Sequence, residues 1–216
     1  MRIIKPSVEL VAFTPNAELL LEQCARVCYK SEGKSDGTLT GAEAFLKRTI
    51  KRGHESVIEH ASATVRVVCD RSVSHELVRH RLASYSQEST RYCNYQQDKF
   101  GKSITVIEPC YLEKGTAAYR MWKHACETAE VAYFDLLGEG CTPQEARAVL
   151  PNSLKTEVMM TANVREWRHF LKLRTSEAAH PQMREVALQI LELLDREWPS
   201  LFDDIVWREC TMEVTG

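Results

Sequence analysis

Between His60 and Asp70 small and branched apolar residues alternate with others. Ala61, Ala63, Val65, Val67 and Cys69 fall on one side, with Thr64, Arg66 and Val68 between them. Successive strand side chains point to opposite faces, so this run predicts a strand with one apolar face. Such a face needs another layer to cover it, and the rest of the chain supplies mainly helical patterns.

Those patterns surround the strand. Ile3 to Phe13 alternates well enough for another strand, and Thr14-Pro15 predicts a helix start, since proline is tolerated at the first helical position. Leu20, Cys24, Val27 and Cys28 form a stripe with helical spacing. Ser31 to Thr40 reads as an exposed loop, and a helix follows from Gly41 to Arg52, stopped by Gly53. Ser72 or Ser74 is placed to cap a short helix running to Arg79. Leu82 to Gln97 is polar and aromatic with no clean period; Ile104 to Ile107 reads as a short strand. Lys114 to Gly138 reads as a long helix, ended by Gly138 and Gly140. Thr142-Pro143-Gln144-Glu145 opens another, combining a capping threonine, a first-turn proline and an acidic third residue. It stops at Leu150-Pro151. Leu154 to Thr161 reads as a strand, and Asn163 to Leu173 and Pro181 to Trp198 as helices. The expected fold is one helix-rich α/β (α+β) domain over residues 1–216, with a small central mixed or antiparallel sheet and the last few residues disordered.

Composition excludes several classes. No apolar run approaches the ~20 residues a membrane span needs, and none follows Met1 as a signal peptide would. The net charge of -2 excludes a globally basic nucleic-acid binder. A cytoplasmic chain is the expectation. Eight cysteines are present, and in a chain without an export signal they read as buried free thiols rather than disulfides. HESVIEH (residues 54–60) superficially resembles a zinc motif, but its histidines are six apart, where two ligands on one helical face need four. No metal site is expected. With no GxGxxG, GxxxxGK[ST] or GxSxG, a dinucleotide would have to bind without a Rossmann turn or a Walker loop.

The charge is unevenly spread. Arg66 to Arg91 contains five arginines with His75 and His80. Arginine presents a rigid fork of donors matched to phosphate and carboxylate oxygens, and nearby like charges repel unless an anion is present. A second set follows at element ends, where ligand-binding residues tend to sit: Arg147, Asn163, Arg165, His169, Arg174, His180 and Gln182. Together they suit a small phosphorylated ligand.

Arg79-His80-Arg81, then seven residues, then Ser89 and Arg91 resembles the signature of flavin-dependent thymidylate synthases. The GHES segment with Glu59 and His60, ARVCY (25–29), EARAVLP, the Asn163–Arg165 segment, and LKLR followed by AHPQ are similar to that family in order and spacing, from about Ala25 to Gln182. The resemblance implies methylation of dUMP to dTMP, with methylenetetrahydrofolate as carbon donor, FAD as hydride carrier, NADPH as reductant and no cysteine nucleophile. It also implies a homotetramer with shared sites and no nucleic-acid or membrane partner.

Position by position, the resemblance gives Ser56, Arg79, His80, Arg81, Gln87, Asn163, Val164, Arg165 and His169 to FAD. It gives Glu76, Leu77, Val78, Arg79, Gln87, Glu88, Ser89, Thr90, Arg91, Arg147 and Arg174 to dUMP, with Arg174 as the catalytic residue against the uracil ring. His54, Glu59 and Tyr92 would neighbour the flavin and folate. Three positions depart from the family pattern: Ser86 stands where asparagine is frequent, Cys28 where some members have serine, and His169 where others carry asparagine. A flavin-binding paralogue without turnover and an RNA-binding module using the arginine cluster are the alternative readings.

Overall fold

The computed structural model describes residues 1–205. Its centre is a four-stranded antiparallel sheet of β2 (Ser7–Phe13), β3 (Ser62–Asp70), β6 (Lys155–Asn163) and β4 (Ala83–Gln87), in the order β2-β3-β6-β4. The alternating run at 60–70 is one of its two middle strands. Ala63 pairs with Ala162, Val65 with Met160 and Val67 with Val158, all on the buried face. The other face carries Thr64 hydrogen-bonded to Thr161, and Arg66 paired with Glu157.

The buried face is covered by α6 (Val164–Arg174) and α7 (Pro181–Glu197), with α1 (Ala17–Val27), α2 (Leu39–Lys51) and the four-residue α8 (Pro199–Phe202) alongside. Trp167, Phe170, Ile190, Leu194 and Trp198 pack here with the strand valines. Complete burial of one such large apolar side chain stabilises the fold by about 1.5–3 kcal/mol. The Trp167 indole also donates to the Ala63 carbonyl, 3.1 Å away, so its polar atom is satisfied. A second apolar cluster gathers Tyr95, Ile104, Val106, Cys126 and Tyr133 under the long α4 (Ala117–Gly138). Beside it β1 (Arg2–Ile4) pairs in parallel with β5 (Thr105–Ile107).

Several local expectations need correction. The strand expected over Ile3 to Phe13 is two strands in two sheets, broken at Lys5-Pro6, where proline has no N–H to give a ladder. α1 starts at Ala17 rather than at Pro15. Thr14 is still tied to the sheet through its N–H to the Ser62 carbonyl (3.0 Å), and Asn16 turns the chain at φ 50°. α2 begins two residues early at Leu39, because the Thr38 hydroxyl accepts the Gly41 N–H. α3 (Arg71–Leu77) is capped by Asp70, which accepts the Val73 N–H at 2.7 Å, and not by Ser72 or Ser74. β4 lies inside the segment that shows no period in the sequence. Thr142 and Glu145 form the expected capping box, but α5 (Pro143–Ala146) lasts four residues before tightening into a 3-10 turn.

The thiols also divide. Cys69 and Cys126 are buried as expected, whereas Cys28 and Cys110 are exposed. Cys210 and the expected disordered tail lie outside the described residues. No helix among the described residues is long and apolar enough to cross a membrane.

Candidate functional site

One polar group sits where the end of α3 meets the last turn of α6. Residues 78–82 leave α3, and the Tyr85 hydroxyl, 2.8 Å from both the Leu77 and His80 carbonyl oxygens, ties that turn to β4. This points His80 inward, and its side chain is only 5% exposed. Arg174, in the last turn of α6, donates its Nε–H to His80 Nε2 (3.1 Å) and an Nη1–H to Glu76 Oε2 (2.6 Å). Its Nη2 enters neither bond.

Burial, the Arg174 guanidinium and the His169 ring push the His80 pKa down to about 4, so this imidazole is neutral at pH 7. On its far side Nδ1 lies 3.4 Å from Glu166 Oε1, and Phe170 presents an edge at 4.9 Å between ring centroids. Burial raises the Glu166 pKa. The side-chain ligand atoms of His80, Glu166 and His169 lie within 4.8 Å of one another. The His80 Nε2 lone pair is already taken by the Arg174 N–H, and a guanidinium there repels a cation. In this structure the group is joined to arginine through Nε2.

A second group lies around α3's other end and the loop after β4. A cavity of about 250 Å³ is lined by Arg71, His75, Thr90, Arg147 and Asn152 among others. Arg147 donates to the Thr90 hydroxyl at 3.3 Å. Ser89 Oγ accepts the Arg91 N–H (3.3 Å), while Arg91 itself is exposed over the Tyr92 ring. Gln87 donates to Ser74 and Thr156, and Glu88 is held by Lys155 (2.9 Å) and Tyr95 (3.3 Å).

The third group is a cleft of about 750 Å³ between the ends of α1 and α2, where His54 and Ser56 face Tyr29, Lys34 and Arg52. Cys28, one of the departures from the family pattern, also lines it. Between this cleft and the first group, Arg165 pairs with Glu59 at 2.5 Å on the surface.

The remaining sequence candidates fall as follows. Val78, Arg79, Arg81 and His169 are exposed. Asn163 uses its side-chain oxygen to cap α6, accepting the Glu166 N–H at 2.9 Å. Leu77 and Val164 are fully buried in the main core, so their side chains are committed to packing. Glu55–His60 form a 3-10 helix preceded by His54, and both His54 and His60 are exposed. Several residues of these groups have no assigned role in the sequence reading, Arg71, His75, Lys34, Arg52 and Glu166 among them. Arg71 stands in the conspicuous cationic run, but nothing in the run separates it from Arg66, which is spent on Glu157 across the sheet. Glu166 reads in sequence as an ordinary acidic residue of a helix's first turn.

The described geometry has a clear counterpart among known proteins. Residues 9–200 match the family described as thymidylate synthase complementing protein. The chain belongs to that family. A flavin-dependent thymidylate synthase of Geobacter sulfurreducens is 35% identical over 202 residues, covering 91% of this chain and 85% of the relative. One of Pyrococcus furiosus is 33% identical over 190 residues, covering 86% and 77%. Among solved structures, a UMP/dUMP methylase, PolB, from Streptomyces cacaoi bound with 5-Br dUMP superposes with a TM-score of 0.78 at 26% identity, covering 96% of this chain and all of that one. The chain is thus an enzyme of the flavin-dependent thymidylate synthase family, and the expected α+β fold without a Rossmann turn holds. The motif carrying the family signature, residues 79–91, starts at the Arg174 group and ends at the Arg147 group.

Proposed function

We propose that the protein methylates carbon 5 of dUMP to give dTMP, taking the carbon from methylenetetrahydrofolate and the reducing equivalents from NADPH through FAD. The observation that carries this reading is Arg174, fixed by Glu76 and neutral His80, with Nη2 in no bond among the described residues and so open to a ligand. A guanidinium stays protonated at any working pH, so it acts as an electrostatic partner and not as a base. Aimed at the uracil, it stabilises negative charge as the ring becomes nucleophilic at carbon 5. Preorganised donors of this kind are worth far more in a dry site than in water.

The other residues take the roles their chemistry suits. Arg147 and Thr90, with Ser89 and Arg91 on the adjoining loop and Arg71 and His75 across the cavity, make a donor-rich seat for the nucleotide phosphate. Gln87 and Glu88 hold the start of that loop, and Leu77, buried in the core, and Val78 shape the turn beside the nucleotide. The cleft at Ser56 and His54 lies within the usual range of small-molecule sites, roughly 300–1,000 Å³. Its Lys34 and Arg52 and its hydroxyls fit the polyanionic part of a flavin dinucleotide. Arg79, His80, Arg81, Asn163, Val164, Arg165 and His169 extend the flavin surface, with Glu59 and Tyr92 at its margin toward the folate. FAD, when bound, supplies hydride transfer; the transferred carbon arrives at the formaldehyde level and needs two electrons to become a methyl group.

The protein acts as the homotetramer that the family resemblance implies; exposed Leu82 and Tyr92 among the exposed arginines fit self-association, in which groups that stand apart in one chain complete one another across interfaces. Tritium release from 5-tritiated dUMP, dependent on both NADPH and methylenetetrahydrofolate, is the expected result for flavin-loaded protein. No release under those conditions removes the reading. The Streptomyces cacaoi neighbour makes UMP a second reading of the substrate. Running UMP and dUMP in competition in the same assay separates the two, with dUMP preferred.

A further inference from the structure

We propose that Glu166 is a positioning residue for the reaction, holding His80 in the orientation that aims the Arg174 guanidinium. The inference rests on the proposed dUMP chemistry and adds a residue to it.

Donor and acceptor accounting leads to Glu166. Arginine has five N–H donors and no acceptor, so the atom receiving Arg174 Nε–H must carry a lone pair. That atom is His80 Nε2, 3.1 Å away. A neutral imidazole with a free Nε2 carries its proton on Nδ1. The His80 side chain is 5% exposed, and a donor in so closed a place is costly to leave without an acceptor. Glu166 Oε1 faces it at 3.4 Å, a distance that tightens to a hydrogen bond with little movement, as catalytic contacts do when a substrate seats.

Glu166 is itself fixed. The residue is 6% exposed, and its N–H is held by the Asn163 side chain at 2.9 Å. Phe170 closes one side of the imidazole and His169 another, so the ring has little freedom except a flip about its own axis. A flip would exchange the nitrogen and carbon edges and deprive Arg174 Nε of its acceptor. The Glu166 oxygen makes the unflipped state the satisfied one. Glu76 holds Nη1 from the opposite side, so the guanidinium plane is set by two carboxylates, one directly and one through a histidine.

The experiment compares Glu166→Leu and Glu166→Gln with wild type as flavin-loaded protein, reading tritium release, the dUMP KM and the melting temperature. Leucine removes the acceptor at similar size. We expect kcat to fall at least tenfold with the KM for dUMP changed less than threefold. Glutamine restores an acceptor oxygen without the charge and is expected to recover most of that loss. Wild-type kcat in Glu166→Leu overturns the proposal, as does a glutamine variant as impaired as the leucine one. If Glu166→Leu does not fold, the decision passes to nitrogen-15 histidine spectra of wild type and Glu166→Gln. His80 with its proton on Nδ1 in both supports the proposal, and a proton on Nε2 in either overturns it. A wild-type protein silent toward dUMP is a different result: it removes the functional reading, while the spectra still report the Glu166–His80 contact.

Discussion

The two arginine groups of this protein solve the problem of concentrated positive charge in different ways. At the end of α6, Arg174 is 23% exposed and is bonded by Glu76 and His80 before any ligand arrives. In the second group Arg91, on the loop after β4, is exposed, and Arg147, at the start of the 3-10 turn after α5, has among the described residues one long side-chain bond, to Thr90. The first arrangement is preorganised and suits the step where charge develops in the transition state, because no reorganisation is needed at that moment. The second is more open and suits capture of a phosphate already charged in solution, with donors from several elements lining one cavity. A buried histidine and a carboxylate fix the guanidinium in one case, whereas in the other the arginines have no carboxylate partner among the described residues.

The comparison breaks most readily at Arg174. Arg174→Ala should lower tritium release about 10²–10³-fold, with a moderate fall in melting temperature because His80 Nε2 and Glu76 lose their donor. A loss below tenfold in a folded variant would mean the preorganised group is not aimed at the reacting ring.

His80 gives the next largest effect, on stability. The unfolded chain takes up this proton near pH 6.5, the folded protein only near pH 4. The unfolded state therefore binds more protons across that interval, and stability is lost as pH falls from about 6.5 to about 4, by at most roughly 3 kcal/mol. Buried carboxyls with raised pKa values, Glu166 included, oppose this trend. Denaturant titrations of wild type and His80→Gln at pH 7 and pH 5 isolate the histidine, and parallel behaviour of the two proteins would contradict the neutral buried imidazole.

The open group should respond in binding rather than in chemistry. Arg147→Ala is expected to raise the KM for dUMP about tenfold or more, from one charge-assisted hydrogen bond of about 1.5–3 kcal/mol, with kcat far less affected. Steady-state kinetics over a dUMP series decide it, and a kcat loss at constant KM would erase the contrast between the groups. Ser89→Ala is the mildest: a fall of only a few-fold, for one neutral hydrogen bond of about 1 kcal/mol. A loss of several orders of magnitude would instead make Ser89 a nucleophile, a role for which no histidine–carboxylate relay is seen at its hydroxyl among the described residues.

Legibility in the sequence followed the type of signal. β3 was readable because its valines and alanines alternate without interruption, and α7 because Ala187, Leu191, Leu194 and Trp198 recur at helical spacing. β4 was not, since Ala83-Ser84-Tyr85-Ser86-Gln87 contains one large apolar side chain and its strand pairing comes from β6. Glu166 was invisible for a similar reason: an acidic residue in a helix's first turn is ordinary until a buried histidine is found against it.

The sequence by itself determined the helix-rich α+β class, the absence of a Rossmann or Walker phosphate loop, the middle strand and the family signature across residues 79–91. These depend on local periodicity and on residue types at fixed spacing. Tertiary structure alone decided which of the many arginines are spent on carboxylates, which are held ready and which stand open. It also decided that Pro6 divides one apparent strand between two sheets. Partners ninety and more residues apart in the chain, such as His80 and Arg174 or Arg66 and Glu157, meet only when α6 and β6 pack against the elements before them. The work an arginine does is set by what faces it after folding, and spacing along the chain does not contain that information.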